Sequence, residues 1–150
     1  MDDAILLIDN SNFYHSLKDS RRLPFPPSDY AKLFDKLSTQ FYFNLKEIIL
    51  YDAVKDISKE PAQYASQQKF HSGIKNLASK WQIKIKTRKL KYRKSNNHLL
   101  PEEKGVDVLL VVDAIKAAIS KTVSTVILLS GDADFVPAID FIKSLGIKTV

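Results

Sequence analysis

The sequence contains no cysteine, which removes disulfide frameworks, thiolate metal sites and cysteine nucleophiles together. Glycine is nearly as scarce. With only Gly73, Gly105, Gly131 and Gly146, neither G-x-G-x-x-G, a Walker loop nor a G-x-S-x-G elbow can be written, so dinucleotide, P-loop and serine-hydrolase chemistry are excluded. Long apolar runs are missing too. The N-terminal stretch MDDAILLIDNS is acidic, its apolar run is five residues long and no run elsewhere exceeds it, so no signal peptide or membrane span is read and the cytoplasm is the expected location. What is present is 150 residues, 45% hydrophobic and 27% charged, enough for one domain over residues 1–150 with its own core.

The net charge of +6 is local. Residues 84–94, KIKTRKLKYRK, hold seven basic residues and no acidic one, and the rest of the chain carries 16 basic against 17 acidic. One basic patch with Tyr92 inside it is the footprint of a polyanion partner, RNA or DNA. The stretch also reads as a solvated edge strand, because Ile83, Ile85 and Thr87 alternate with Lys84, Lys86 and Arg88, and lysines protect exposed edges. The two readings are compatible.

Strand and helix patterns alternate along the chain. Short β-rich runs stand at 4–8, 47–54, 82–87, 125–130 and 146–150. RRLPFPPS, with Pro24, Pro26 and Pro27, reads as a surface loop, after which Ser28 would cap a helix carrying Tyr30, Leu33, Phe34, Leu37 and Phe41. A second amphipathic helix is predicted from about Pro61 to Lys80. VDVLLVVDAIKAAIS, 106–120, has no internal turn signal and reads as one buried helix. A last helix, from about Asp134 to Leu145, has Pro137 in its first turn and Gly146 as its stop. The predicted fold is therefore a three-layer α/β/α sandwich around a mostly parallel sheet. The chain stops at Val150 in its last strand, at an edge that is either natural or truncated.

In such sheets ligands bind beyond the carboxyl ends of the strands. Carboxylates stand at those ends here. The first strand delivers Asp9, with Asn10 and Asn12, the strand at 125–130 delivers Asp132 and Asp134, and the helix after KGVDV starts at Asp107. Crowded carboxylates repel one another and a divalent cation removes that cost; oxygen donors without a His or Cys cluster favour Mg²⁺ or Mn²⁺. His15, His71 and His98 read as surface or loop residues, and Asp2, Asp3, Asp113 and Asp140 as solvated or helix-face acids. Capping is the competing role for Asp9, Asp107 and Asp134. Asp132 resists it, because SGDAD spends two aspartates where one suffices.

IDNSN near the N-terminus, KGVDV opening a central helix and SGDADF after a late strand resemble the motif set of the LabA-like NYN-domain family, within the PIN-like nucleases, in order and over nearly the whole chain. The resemblance implies a PIN-like sandwich of five or six parallel strands whose acids bind Mg²⁺ or Mn²⁺ and hydrolyse RNA. It implies Asp9 as the first ligand with Asn12 beside it, Asp107 as the second acidic contribution, and Asp132 and Asp134 completing the site.

A strand-end aspartate phosphatase would want an acid where Ser11 stands, and a metal-dependent adhesion site would want Ser or Thr at Phe13. The function expected is a metal-dependent ribonuclease, an endonuclease, with Asn12, Lys84, Lys86, Arg88, Lys89, Lys91, Arg93 and Lys94 holding RNA, DNA remaining open as a substrate. The competing expectation is an RNA-binding module of the same fold that does not cut.

Overall fold

A computed structural model describes all of residues 1–150. The elements run β1 (Asp2–Asp9), α1 (Asn10–Asp19), α2 (Pro27–Thr39), β2 (Phe43–Val54), α3 (Pro61–Lys75), β3 (Ile83–Lys89), β4 (Lys91–Ser95), β5 (His98–Glu102), α4 (Val106–Ser120), β6 (Thr125–Leu129), α5 (Val136–Ser144) and β7 (Lys148–Thr149). Five strands form one sheet in the order β3-β2-β1-β6-β7, and every neighbouring pair is parallel.

The apolar runs of β1 and β2 are buried on both faces, as a covered parallel sheet requires. Alternation divides them between two cores. Ile5, Leu7, Ile49 and Tyr51 pack with Val106, Leu110, Ala114 and Ala118 of α4, and with Phe135 and Ile142. Ala4, Leu6, Ile8, Ile48 and Leu50 pack on the other face with Tyr30 and Phe34 of α2 and Ile74 of α3. The α/β/α sandwich of the sequence reading is therefore the observed one.

Several local expectations change. Helix α2 begins one residue before Ser28, with Pro27 in its first turn and no side-chain cap, because proline presets the helical φ. Phe41 falls outside it and is exposed. Helix α3 ends at Lys75 and tightens into a 3-10 turn over Asn76–Ser79, so the long helix to Lys80 is two pieces. The segment 106–120 is one helix, as read. The largest addition is β4 and β5, a separate antiparallel hairpin closed by Asn96 and Asn97. Both asparagines have positive φ, 48° and 63°, the conformation of a tight hairpin turn that Asn tolerates. No helix is long and apolar enough to cross a membrane.

Candidate active site

Strand order reverses between β1 and β6, so the crevice beyond their carboxyl ends is the switch point where open α/β sheets take ligands. Asp9 ends β1, and Ser130–Asp134 follow β6. Asp9 is 7% exposed. Its Oδ2 accepts the Ser130 hydroxyl at 3.0 Å and its Oδ1 accepts the Asn12 backbone N–H at 3.4 Å, which caps α1. Asn12 in turn accepts the Gly131 N–H at 2.7 Å through its side-chain oxygen. Two hydrogen bonds therefore tie the start of α1 to the loop after β6.

The two acids of SGDAD differ. Asp132 accepts the Asp134 N–H at 2.9 Å and caps the 3-10 turn Ala133–Phe135, which is the capping role the sequence assigned away from it. Asp134 is exposed and caps nothing. Asp107 is exposed in the first turn of α4 and does not cap it either; that place is held by Gly105 at φ 86°, without a side-chain bond.

Burial pushes the Asp9 carboxyl above the usual range against the pull of Ser130 and Asn12, and the charges of Asp132 and Asp107 add to the rise. A further acid joins them. Glu103, just after β5, is exposed as a residue, but partial burial of its carboxyl raises its pKa against the pull of Ser11, and the charges of Asp9, Asp52 and Asp107 add to the rise. Asp9, Asp107 and Asp132 are thus one electrostatic group with Glu103, whereas Asp134 is not among the charges acting on Asp9 or Glu103. Glu103 stands four residues before Asp107, beyond the motif that drew attention to that helix.

Beneath this group lies a buried polar network that sequence reasoning missed. Asp52, 5% exposed near the end of β2, accepts from Asn10 Nδ2 at 3.0 Å, Ser11 Oγ at 3.4 Å and the Ala53 N–H at 3.1 Å. His71 Nε2 lies 2.9 Å from the same carboxylate, and Tyr30 donates to Asn10 Oδ1 at 2.6 Å. His71 is therefore a buried partner and not a surface histidine. An acid inside the apolar run EIILYDAV was the available signal, because carboxylates are seldom fully buried without partners. Asp113 is likewise engaged. Its Oδ2 accepts from Tyr51 and Lys86, each at 2.7 Å, and these bonds hold its pKa low although burial alone would raise it.

The basic run divides in two. Lys84 pairs with Glu47 at 2.6 Å and Lys86 with Asp113 at 2.7 Å. Arg88, Lys89, Lys91, Arg93 and Lys94 are exposed and have no acid within ion-pair distance. Tyr92, expected within the polyanion patch, is tethered instead: it donates to Glu60 at 2.6 Å and accepts the Asp56 N–H at 3.0 Å.

The donor chemistry of the acid group is all oxygen, which suits Mg²⁺ or Mn²⁺. No three acidic or histidine side chains stand close enough to hold an ion among themselves. Magnesium commonly needs only one or two carboxylates, the remaining positions being water and substrate phosphate, so this donor set fits that mode of binding.

Comparison with known proteins places the chain in a class. The NYN domain matches residues 3–150, so the chain belongs to the NYN domain family, part of the PIN-like nuclease superfamily. That membership associates it with nuclease-like, RNA-related function. The chain is also similar to the crystal structure of a protein of unknown function from Vibrio parahaemolyticus, at 21% identity and a TM-score of 0.66, covering 99% of this chain and 78% of that one. That likeness concerns the fold. No curated protein matches the chain at a significant level of similarity.

Proposed function

We propose that the chain is a metal-dependent ribonuclease, an endonuclease of the cytoplasm that hydrolyses RNA phosphodiester bonds at the β1–β6 crevice. The observation that carries this is the joining of Asp9 and Asn12 to the Ser130–Asp134 loop across the β1–β6 switch point, with the charges of Asp132 and Asp107 among the causes that raise the Asp9 carboxyl. Mg²⁺ or Mn²⁺ would be held by one or two of Asp9, Asp107, Asp132 and Asp134, with water and substrate phosphate in the other positions, and when bound would supply an activated water and neutralise charge on the phosphate.

The chain's own groups prepare that chemistry. Ser130 and the Asn12 N–H hold both Asp9 oxygens at fixed angles, and Asn12 fixes the SGDAD loop against α1. Glu103 adds a further carboxyl beside them, raised above its ordinary range. The unpaired cations from Arg88 to Lys94 draw the RNA in, while Lys84 and Lys86 add only to the distant field.

One observation favours the binding-module reading: Asp9 and Asp132 both serve as caps, and no three acids form a closed metal cage. End-labelled single-stranded RNA incubated with Mn²⁺, Mg²⁺ or EDTA separates the two. Cleavage that requires metal and is lost in Asp107→Asn, an exposed residue with no capping role, supports the nuclease. RNA binding without cleavage under any of these conditions supports the module.

A further inference from the structure

The hairpin of β4 and β5 belongs to neither layer of the sandwich. It pairs only with itself and is exposed along nearly its whole length, yet it is firmly rooted. Its outgoing strand leads through Glu103 to Asp107, so its base stands at the acid group. Tyr92 pins the incoming strand to the Asp56–Glu60 loop by two hydrogen bonds, and Lys59 Nζ lies 4.8 Å over the ring. Five residues of strand carry the Asn96–Asn97 turn about 17 Å from that base.

Its side chains explain what such an arm is for. Arg93 stands opposite Leu100 and Lys94 opposite Leu99, so on each face of the ribbon a cation adjoins an exposed leucine. Lys91 and Lys89 continue the charge towards the sheet. None of these cations has an acidic partner, unlike Lys84 and Lys86 just before them. Charge left free beside apolar surface suits a chain that offers phosphates and apolar sugar and base faces together.

We propose that the hairpin 91–102 is an RNA-gripping arm that holds the substrate several nucleotides away from the cutting site, and that Lys91, Arg93 and Lys94 are its phosphate contacts. The proposal rests on RNA being the ligand of the acid crevice. It assigns a substrate class: single strands long enough to reach from the crevice along the arm, in preference to short oligomers.

The test is anisotropy of fluorescent single-stranded RNA in EDTA, where binding is read without cleavage. The variants are the triple Lys91→Ala/Arg93→Ala/Lys94→Ala and the double Lys84→Ala/Lys86→Ala, with melting curves as folding controls. A dodecanucleotide should bind the triple variant with a log–log salt slope smaller by about 2, as three lost phosphate contacts at roughly 0.7 each require. Its affinity for a trinucleotide, and the slope of the double variant, should not change. An unchanged slope in the triple variant, or an equal loss in the double, overturns the arm, even where the wild type cleaves RNA. Arm-dependent binding in EDTA by a protein that cuts no RNA with Mn²⁺ or Mg²⁺ keeps the arm and removes the nuclease. A wild type that binds no RNA, or an acidic polypeptide that competes as well as RNA does, overturns the arm and makes its partner something else.

Discussion

The acid crevice and the basic arm are the two concentrations of charge in this protein, and they are built in opposite ways. In the crevice, acids from three separate segments, Asp9, Glu103 with Asp107, and Asp132, act on one another's surroundings, and the Asp9 and Glu103 carboxyls are raised above the usual range. In the arm, cations from one continuous segment stand in solvent, which screens their repulsion, and none has an acidic partner. Buried charge is therefore bought with structure, and exposed charge is left free to act. The crevice should be sensitive to its neighbours and the arm should not.

The sharpest way to break this contrast is Asp52→Ala. It strips a buried carboxylate from Asn10, Ser11, the Ala53 N–H and His71, and should cost about 3–5 kcal/mol in urea unfolding. A loss under about 1 kcal/mol would show that the crevice stands without that network. Next is Asp9→Asn. Under the proposed function it should lower metal-dependent cleavage roughly 100-fold or more, while RNA binding in EDTA is kept.

The same variant gives a pH signature in EDTA. A carboxyl whose folded pKa is raised binds its proton more tightly in the folded state, so its contribution to stability falls as pH rises through the range between the unfolded and folded values. Asp9→Asn should therefore melt higher than wild type at pH 7, since Asn caps as well as Asp, and the difference should shrink as the pH drops to about 4. A difference independent of pH would mean that Asp9 is not strained by its surroundings.

Tyr92→Phe probes the other side of the comparison. Losing the Tyr92 hydroxyl should speed amide exchange through residues 91–102 while global stability moves by less than about 1 kcal/mol, because the arm is not part of either core. The smallest effect is expected at Thr125, fully buried with a hydroxyl that has no partner. Thr125→Val should raise stability by about 1 kcal/mol and leave both RNA affinity and its salt slope alone.

The two regions were also legible to different degrees. The sandwich was readable because strands buried on both faces leave continuous apolar runs, and AILLI and TVILLS are such runs. Asp9, Asn12 and Asp132 could be found because each lies where a strand must end. Their distribution between capping and free roles was not readable: Asp132 caps and Asp107 does not, a matter of one residue's φ at Gly105 and one hydrogen bond. Glu103 and Asp52 escaped notice because the contacts that matter to them run to Ser11, Asp9 and His71, far away in the chain. The basic run was plain as composition. Its shape depended on Asn96 and Asn97, a two-residue turn between patterns too short and too charged to read as strands.

The hydrogen bond from Ser130 to Asp9 joins residues 121 positions apart. It closes one of the longest loops in the chain, between the first strand and the sixth, and contacts of that span form slowly because the intervening chain must first be ordered. In a chain that emerges from its N-terminus, β1 can pair with β2 early, but its other edge waits for β6. Until then Asp9 lacks its Ser130 donor and the crevice does not exist. The central position of β1 thus makes completion of the site wait on residues 121 positions further along the chain.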